Sequence, residues 1–181
     1  MITRIAMVAA LGTTLGLASC SANDLSDSRR NELTYNANQA MDEFRESPSV
    51  RRFLSDAYGY AIFPRVAKGA IGIGGARGSG LVYEQGRLIG NSVLTQATIG
   101  FSLGGQSFQE LIVFEDEAAL TEFIAGDFAF QAGASAAAGT AGANSAINYE
   151  NGLVVFVQTN GGLIYDASIG GQNFDFNPIA N

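Results

Sequence analysis

GYAIFPRVAKGAIGIGGARGSGLVYE, residues Gly59 to Glu84, is the stretch on which the reading of this chain turns. It opens with a short apolar run, Tyr60 to Phe63, punctuated by Pro64, and then carries two cations, Arg65 and Lys68. Beyond them Ile71 and Ile73 alternate with Gly72 and Gly74, a period of two that signals a strand. A strand with glycine along one face presents no side chains there, so another backbone, a sheet or a ligand can approach closely. Gly78, Ser79 and Gly80 are turn residues, and Leu81 to Tyr83 resume a strand before Glu84, Gln85 and Gly86, so a hairpin turning at 78–80 is expected.

The same glycines invite comparison with nucleotide loops, and the comparison fails. A dinucleotide fingerprint needs glycine at i, i+2 and i+5 ahead of a helix whose N-terminus meets the pyrophosphate. Gly72 and Gly74 fit, but Arg77 stands at i+5. A phosphate-cradling Gly-Lys-Ser/Thr is absent too, since the only lysine reads Lys68-Gly69-Ala70. Tight sheet geometry accounts for the glycines instead.

Working outward, 181 residues suffice for one domain with a real core. There is no histidine, which removes the commonest general base and metal ligand together. The only cysteine, Cys20, leaves no disulfide, no cysteine-based metal site and no CxxC redox motif. There is no GxSxG elbow, and Lys68 lacks a Ser-x-x-Lys context, so the chain reads as non-enzymatic and without cofactor. Carboxylate pairs of the glycosidase kind are not readable from sequence.

Met1 to Ser19 reads as a secretory signal, with Arg4 as the positive n-region and Ile5 to Leu17 as the apolar h-region. It ends in Leu17-Ala18-Ser19-Cys20, which looks like the lipobox of bacterial lipoproteins, with Cys20 as the lipidated, palmitate-bearing residue. Ser21 after the cysteine resembles the pattern sorted to the outer membrane, so the expectation is a cell-envelope protein anchored there and facing the periplasm. Residues 20–28 read as a tether and 29–181 as one domain. Without the signal, nine Lys and Arg residues stand against 17 acids, and all nine lie between Arg29 and Arg87. From Leu88 onward there are nine acids and no cation. Nucleic acid is therefore not an expected partner, and any anionic lipid headgroup must meet the basic N-terminal part.

A helix is expected from Arg29 to Glu46, with Leu33, Ala37, Ala40, Met41 and Phe44 on one apolar face and Glu32, Asn36, Gln39, Asp42, Glu43 and Arg45 on the other. It packs on the sheet or touches lipid, though its mixed charge disfavours strong binding to anionic membrane. Ser47 caps a second helix with Pro48 at its first position. Val50, Phe53, Leu54 and Ala57 face inward there; Arg51 and Arg52 face outward, suited to phosphate recognition or simply solvated. Leu88 to Val93 reads as a strand or turn, and later strands are expected at 98–105, 111–114, 128–136, 153–158 and 163–169, the last two joined around Asn160-Gly161-Gly162. Asp116 is placed to cap a short helix, Glu117 to Ala125, stopped by Gly126. Glu115, Asp116 and Glu117 read as that cap and first turn rather than as a Ca²⁺ site, because adjacent carboxylates do not converge on one point. Residues 134–146, nearly all Ala, Gly, Ser and Thr, read as a tight strand or an exposed loop. The fold class is α+β: two N-terminal helices packed on a twisted, mostly antiparallel sheet or barrel-like β-sandwich, with one short internal helix.

Five motifs in order carry a family resemblance: AIFPRVAKGAIGIGGARGSG at 61–80, ATIGFSLGGQSFQELIVF at 97–114, EDEAALTEFIAG at 115–126, FAFQAGASAAAGTAG at 128–142 and GLVVFVQTNGGLIYD at 152–166. The chain resembles the SYLF domain family, the lipid-binding and actin-regulator domain of eukaryotic endocytic proteins, which bacteria carry in secreted proteins and lipoproteins. The resemblance implies phospholipid binding and implies nothing about catalysis. Eukaryotic members pair the domain with further interaction modules, which this sequence lacks, so the fold transfers more readily than the ligand. The cations placed to meet a headgroup are Arg51, Arg52, Arg65, Lys68 and Arg77, expected to gather on one face with Arg45 beside an apolar surface. The alternative is an interaction protein that docks a protein partner in the periplasm through a sheet edge or its acidic half.

Overall fold

The computed structural model describes residues 27–71, 73–99, 106–126, 147–159, 162–165 and 172–179. The signal and lipidation readings at 1–20, most of the tether, Gly100 to Gly105 and the strand and low-complexity readings across 128–146 lie outside these residues.

Two helices come first, α1 (Asp27–Arg45) and α2 (Pro48–Asp56), followed by β1 (Gly59–Ile71), β2 (Ile73–Glu84), β3 (Arg87–Ile99) and β4 (Gln106–Phe114). After α3 (Glu117–Ala125) come β5 (Leu153–Thr159), β6 (Gly162–Tyr165) and β7 (Gln172–Pro178). The strands form one open sheet in the order β6-β5-β4-β1-β2-β3-β7, and every pairing is antiparallel. The barrel-like alternative is thereby corrected: β6 and β7 remain edges and the sheet does not close on itself.

It nevertheless curls. In a flat sheet β4 and β7 would stand roughly 19 Å apart, four strand spacings, beyond the joint reach of two side chains. Yet Gln172 on β7 donates its Nε2–H to Oε2 of Glu110 on β4 at 3.1 Å. Phe174 on β7 likewise meets Phe63 on β1, three strands away, with ring centroids 5.6 Å apart. The inner face of this curl holds one apolar core, capped by α3, where Phe114, Phe123, Phe174 and Phe63 form a continuous run of rings. The outer face holds a second core beneath α1 and α2, built from Ala37, Ala40, Met41, Phe44, Val50 and Phe53 against Ile62, Leu81, Leu111 and Phe156. Each fully buried Phe contributes about 1.5–3 kcal/mol of apolar burial.

The helices follow their sequence signals. The apolar stripe of α1 is buried as expected, with Leu33 half-buried at its margin. Ser47 occupies the N-cap of α2 in extended conformation, with Pro48 in the first turn, although its hydroxyl makes no capping bond. Asp116 caps α3 by accepting from Ala119 N–H at 2.9 Å, and Gly126 ends it at φ +72°.

The glycine-rich stretch departs from the sequence reading in two places. Gly78, Ser79 and Gly80 are not a turn; they run straight through β2, and the chain reverses at 71–73 and again at Gln85-Gly86. The glycines serve the other purpose, close approach. A Cβ at Gly80 would stand 2.5 Å from Cδ1 of Phe63, and one at Gly78 would stand 2.9 Å from Cγ2 of Val66. Bare backbone is what lets these inward side chains of β1 lie across β2. The second departure is Pro64, which does not interrupt β1. The strand passes through it by a bulge, marked by register shifts against both neighbours between Ile62 and Val66. Proline offers no N–H to a ladder, and a bulge is where a central strand tolerates one.

Candidate functional site

The bulge decides where the cations point. Strict alternation from Ala61 and Phe63, both in the inner core, would send residue 65 inward. The extra residue instead places Val66 in the inner core and Arg65 on the outer face. Arg65 pairs with Ser79, and Arg77, two residues back along β2, pairs with Ala67 on that same face. Such diagonal neighbours lie roughly 7–8 Å apart, within reach of one shared anion.

Arg29 on α1 completes the set. Arg29, Arg65 and Arg77 line one open groove of about 510 Å³ between α1 and the β1–β2 hairpin, with Leu33, Pro64 and Ala67 among its walls. Arg65 and Arg77 are exposed, and among the described residues neither enters a hydrogen bond or ion pair. Three guanidiniums over a mainly apolar trough present a phosphate-binding fork beside a surface that takes hydrocarbon.

The remaining expected site residues lie elsewhere. Lys68 pairs with Ala76 of the inner core and so sits on the opposite face of the sheet from Arg65 and Arg77. Arg51 turns back on the end of α1, where its Nη1 donates to the carbonyls of Arg45 and Glu46, the latter at 2.9 Å. A cation there complements the helix dipole. Arg52 donates to the Ile147 carbonyl at 3.3 Å and lies 4.9 Å over the Phe53 ring, stitching α2 to the segment before β5. Arg45 pairs with Asp42 at 3.9 Å beside Tyr60 and Tyr83. The six cations thus do not form one cluster; two of them, Arg65 and Arg77, share a site, and they share it with Arg29.

Arg29 escaped the sequence reading because it precedes the apolar stripe of α1, although its spacing of four from Leu33 places both on one flank. A second, polar groove on the other side of Arg65 was also missed. Asn36, Gln39, Glu43, Gln109 and Gln158 line it, in about 350 Å³. The α1 residues among them read from sequence as a solvated face, and only the sheet's position turns that face into a wall.

Tyr60 and Tyr83 stack beneath α1 with centroids 4.7 Å apart and planes inclined at 18°. Burial pushes both hydroxyls above the ordinary tyrosine value of 10.0, and the Tyr83 neighbour adds to the rise at Tyr60. They stay neutral at physiological pH and line a separate pocket with Asp42 and Arg45 toward the C-terminal end of α1.

No helix among the described residues is long and apolar enough to cross a membrane. Residues 95–181 match the Ysc84 family, described as "Las17-binding protein actin regulator". A curated relative, Beta cell expansion factor A of Aeromonas veronii, is 27% identical over 134 residues, covering 72% of this chain and 50% of that protein. The chain therefore spans about half the length of the relative it matches. Both matches are consistent with the SYLF family resemblance carried by the sequence motifs.

Proposed function

We propose that this chain, with the family signature of a SYLF domain, is a non-catalytic phospholipid-binding protein whose headgroup site is the groove formed by Arg29, Arg65 and Arg77. The observation that carries this reading is the convergence of unpaired Arg65 and exposed Arg77 on an apolar trough. A phosphodiester bridges the guanidiniums through charge-assisted hydrogen bonds while the first carbons of the lipid lie along Leu33, Pro64 and Ala67. Lys68, Arg51 and Arg52 are left out of this site by their placement.

The lipobox-like Leu17-Ala18-Ser19-Cys20 supports an anchored, outer-membrane lipoprotein that works in the bacterial envelope. One acyl chain holds a protein marginally, and a second contact from the domain itself makes the attachment stable. Labelled palmitate should enter the wild-type chain in a bacterial host and should not enter Cys20→Ser.

Vesicle co-sedimentation of the chain from Ser21 onward, free of the acyl anchor, tests the headgroup site. Binding to phospholipid vesicles should be lost in Arg65→Ser/Arg77→Ser and retained in Arg51→Ser/Arg52→Ser. Equal loss in both variants, or no binding at all, overturns the assignment. The second reading, docking of a basic protein partner on the acidic half, is favoured by the nine acids and absent cations from Leu88 onward.

A further inference from the structure

The polar groove on the far side of Arg65 has a chemistry of its own. Gln109 Nε2 donates to Glu43 Oε2 at 3.0 Å, which fixes the amide, since the flipped orientation would set a carbonyl against a carboxylate. Gln109 Oε1 is thereby turned away from Glu43. It is shielded from solvent and accepts no hydrogen bond. The groove runs from a guanidinium, Arg65, to a carboxylate, Glu43, which the Gln109 amide holds in place.

The complement of that arrangement is an anion joined by a short link to a group that is cationic and rich in donors. A primary ammonium has three donors and no acceptor. A quaternary ammonium carries charge but no N–H for the Glu43 carboxylate. A glycerol or sugar hydroxyl supplies a donor but leaves Glu43 without a counter-charge. We propose that this groove receives the ammonium of a phosphodiester bearing a primary amine, the phosphoethanolamine class, with its phosphate on Arg65 and its ammonium on Glu43. This rests on the phosphate site described above and adds selectivity to it.

The full chain carrying Cys20→Ser is titrated with glycerophosphoethanolamine, glycerophosphocholine and glycerophosphoglycerol, followed by calorimetry or amide chemical shifts. Vesicles of the three matching lipids form a parallel arm. The ethanolamine form should bind about tenfold more tightly than either other form, the scale of one charge-assisted hydrogen bond. Glu43→Gln should reduce that advantage to about twofold while leaving the glycerol form unchanged, and Glu43→Lys should reverse it in favour of the glycerol form. Glu43 is exposed, so both variants should keep the wild-type melting temperature. Equal binding of the three forms, or an advantage that survives Glu43→Gln, overturns the ammonium site and leaves the phosphate site standing. Failure of all three to bind in both arms overturns both. A preference in the soluble arm alone assigns the site to a free phosphodiester; a preference in the vesicles assigns it to the lipid.

Discussion

The two faces of the β1–β2 hairpin are built from alternate residues of the same two strands and do opposite work. On the inner face Phe63 and Val66 lie over the bare backbone of Gly80 and Gly78, and both side chains are fully buried. On the outer face Arg65 and Arg77 stand exposed beside α1, and among the described residues no partner holds them. Around Gly78 and Gly80 the inner face is closely packed, while the outer face at Arg65 and Arg77 is left open. Stability and recognition are therefore separated by one strand's thickness, and a substitution should disturb one without the other.

The sharpest way to break this division is Phe63→Ala. It removes a ring with no exposure, in contact with Phe174, and should cost about 3–5 kcal/mol in denaturant unfolding. Gly80→Ala attacks the same packing from below and should cost about 1–3 kcal/mol by overpacking. In the Phe63→Ala background part of that second cost should disappear, because the ring that the new methyl would strike is gone; the Ile62 carbonyl at 2.6 Å keeps the rest. Purely additive costs would mean that the glycine is there for some other reason than the ring. Arg65→Ser and Arg77→Ser, by contrast, should change stability by no more than about 0.5 kcal/mol while abolishing vesicle binding. A large stability loss in either would erase the division.

The smallest effect concerns the stacked tyrosines under α1. Their hydroxyls titrate above 10.0 in the folded chain because burial opposes the phenolate. Unfolding then releases protons as pH rises past 10, so the stability they contribute is full below that pH and declines above it. Tyr60→Phe/Tyr83→Phe should flatten this alkaline decline in melting temperature and leave the neutral-pH value nearly unchanged. An unaltered slope would show that the alkaline loss comes from elsewhere.

Much of the fold was legible because its signals are local. The stripe of α1, Ser47-Pro48, Asp116 and Gly126 each act within a turn of chain, and each appears where its chemistry puts it. Gly78 and Gly80 were misread because one property, the missing Cβ, serves a turn and a close approach alike. Neither has a positive φ, so only the ring of Phe63 and the side chain of Val66 tell which use applies, and those lie on another strand. The site was legible in part for the same reason. The residue types suited to phosphate could be picked out, but which of them share a groove depends on a bulge and on where α1 rests. Glu43 and Gln109 are 66 positions apart and meet only in the folded chain.

The bulge at Pro64 also has a consequence for descent. It acts as a phase shift in the chain: residues before it and after it obey opposite rules for facing inward. Deleting Pro64 would remove the extra residue and restore uniform alternation with Val66 still facing the core and Arg65 still facing the groove, whereas flattening the bulge at full length would exchange the two. Loss of the one extra residue is therefore tolerated singly, while a further single-residue gain or loss in the regular part of β1 would turn its side chains to the wrong face. A relative aligned here with a single-residue gap should carry the same core and the same outward cation on an unbulged strand.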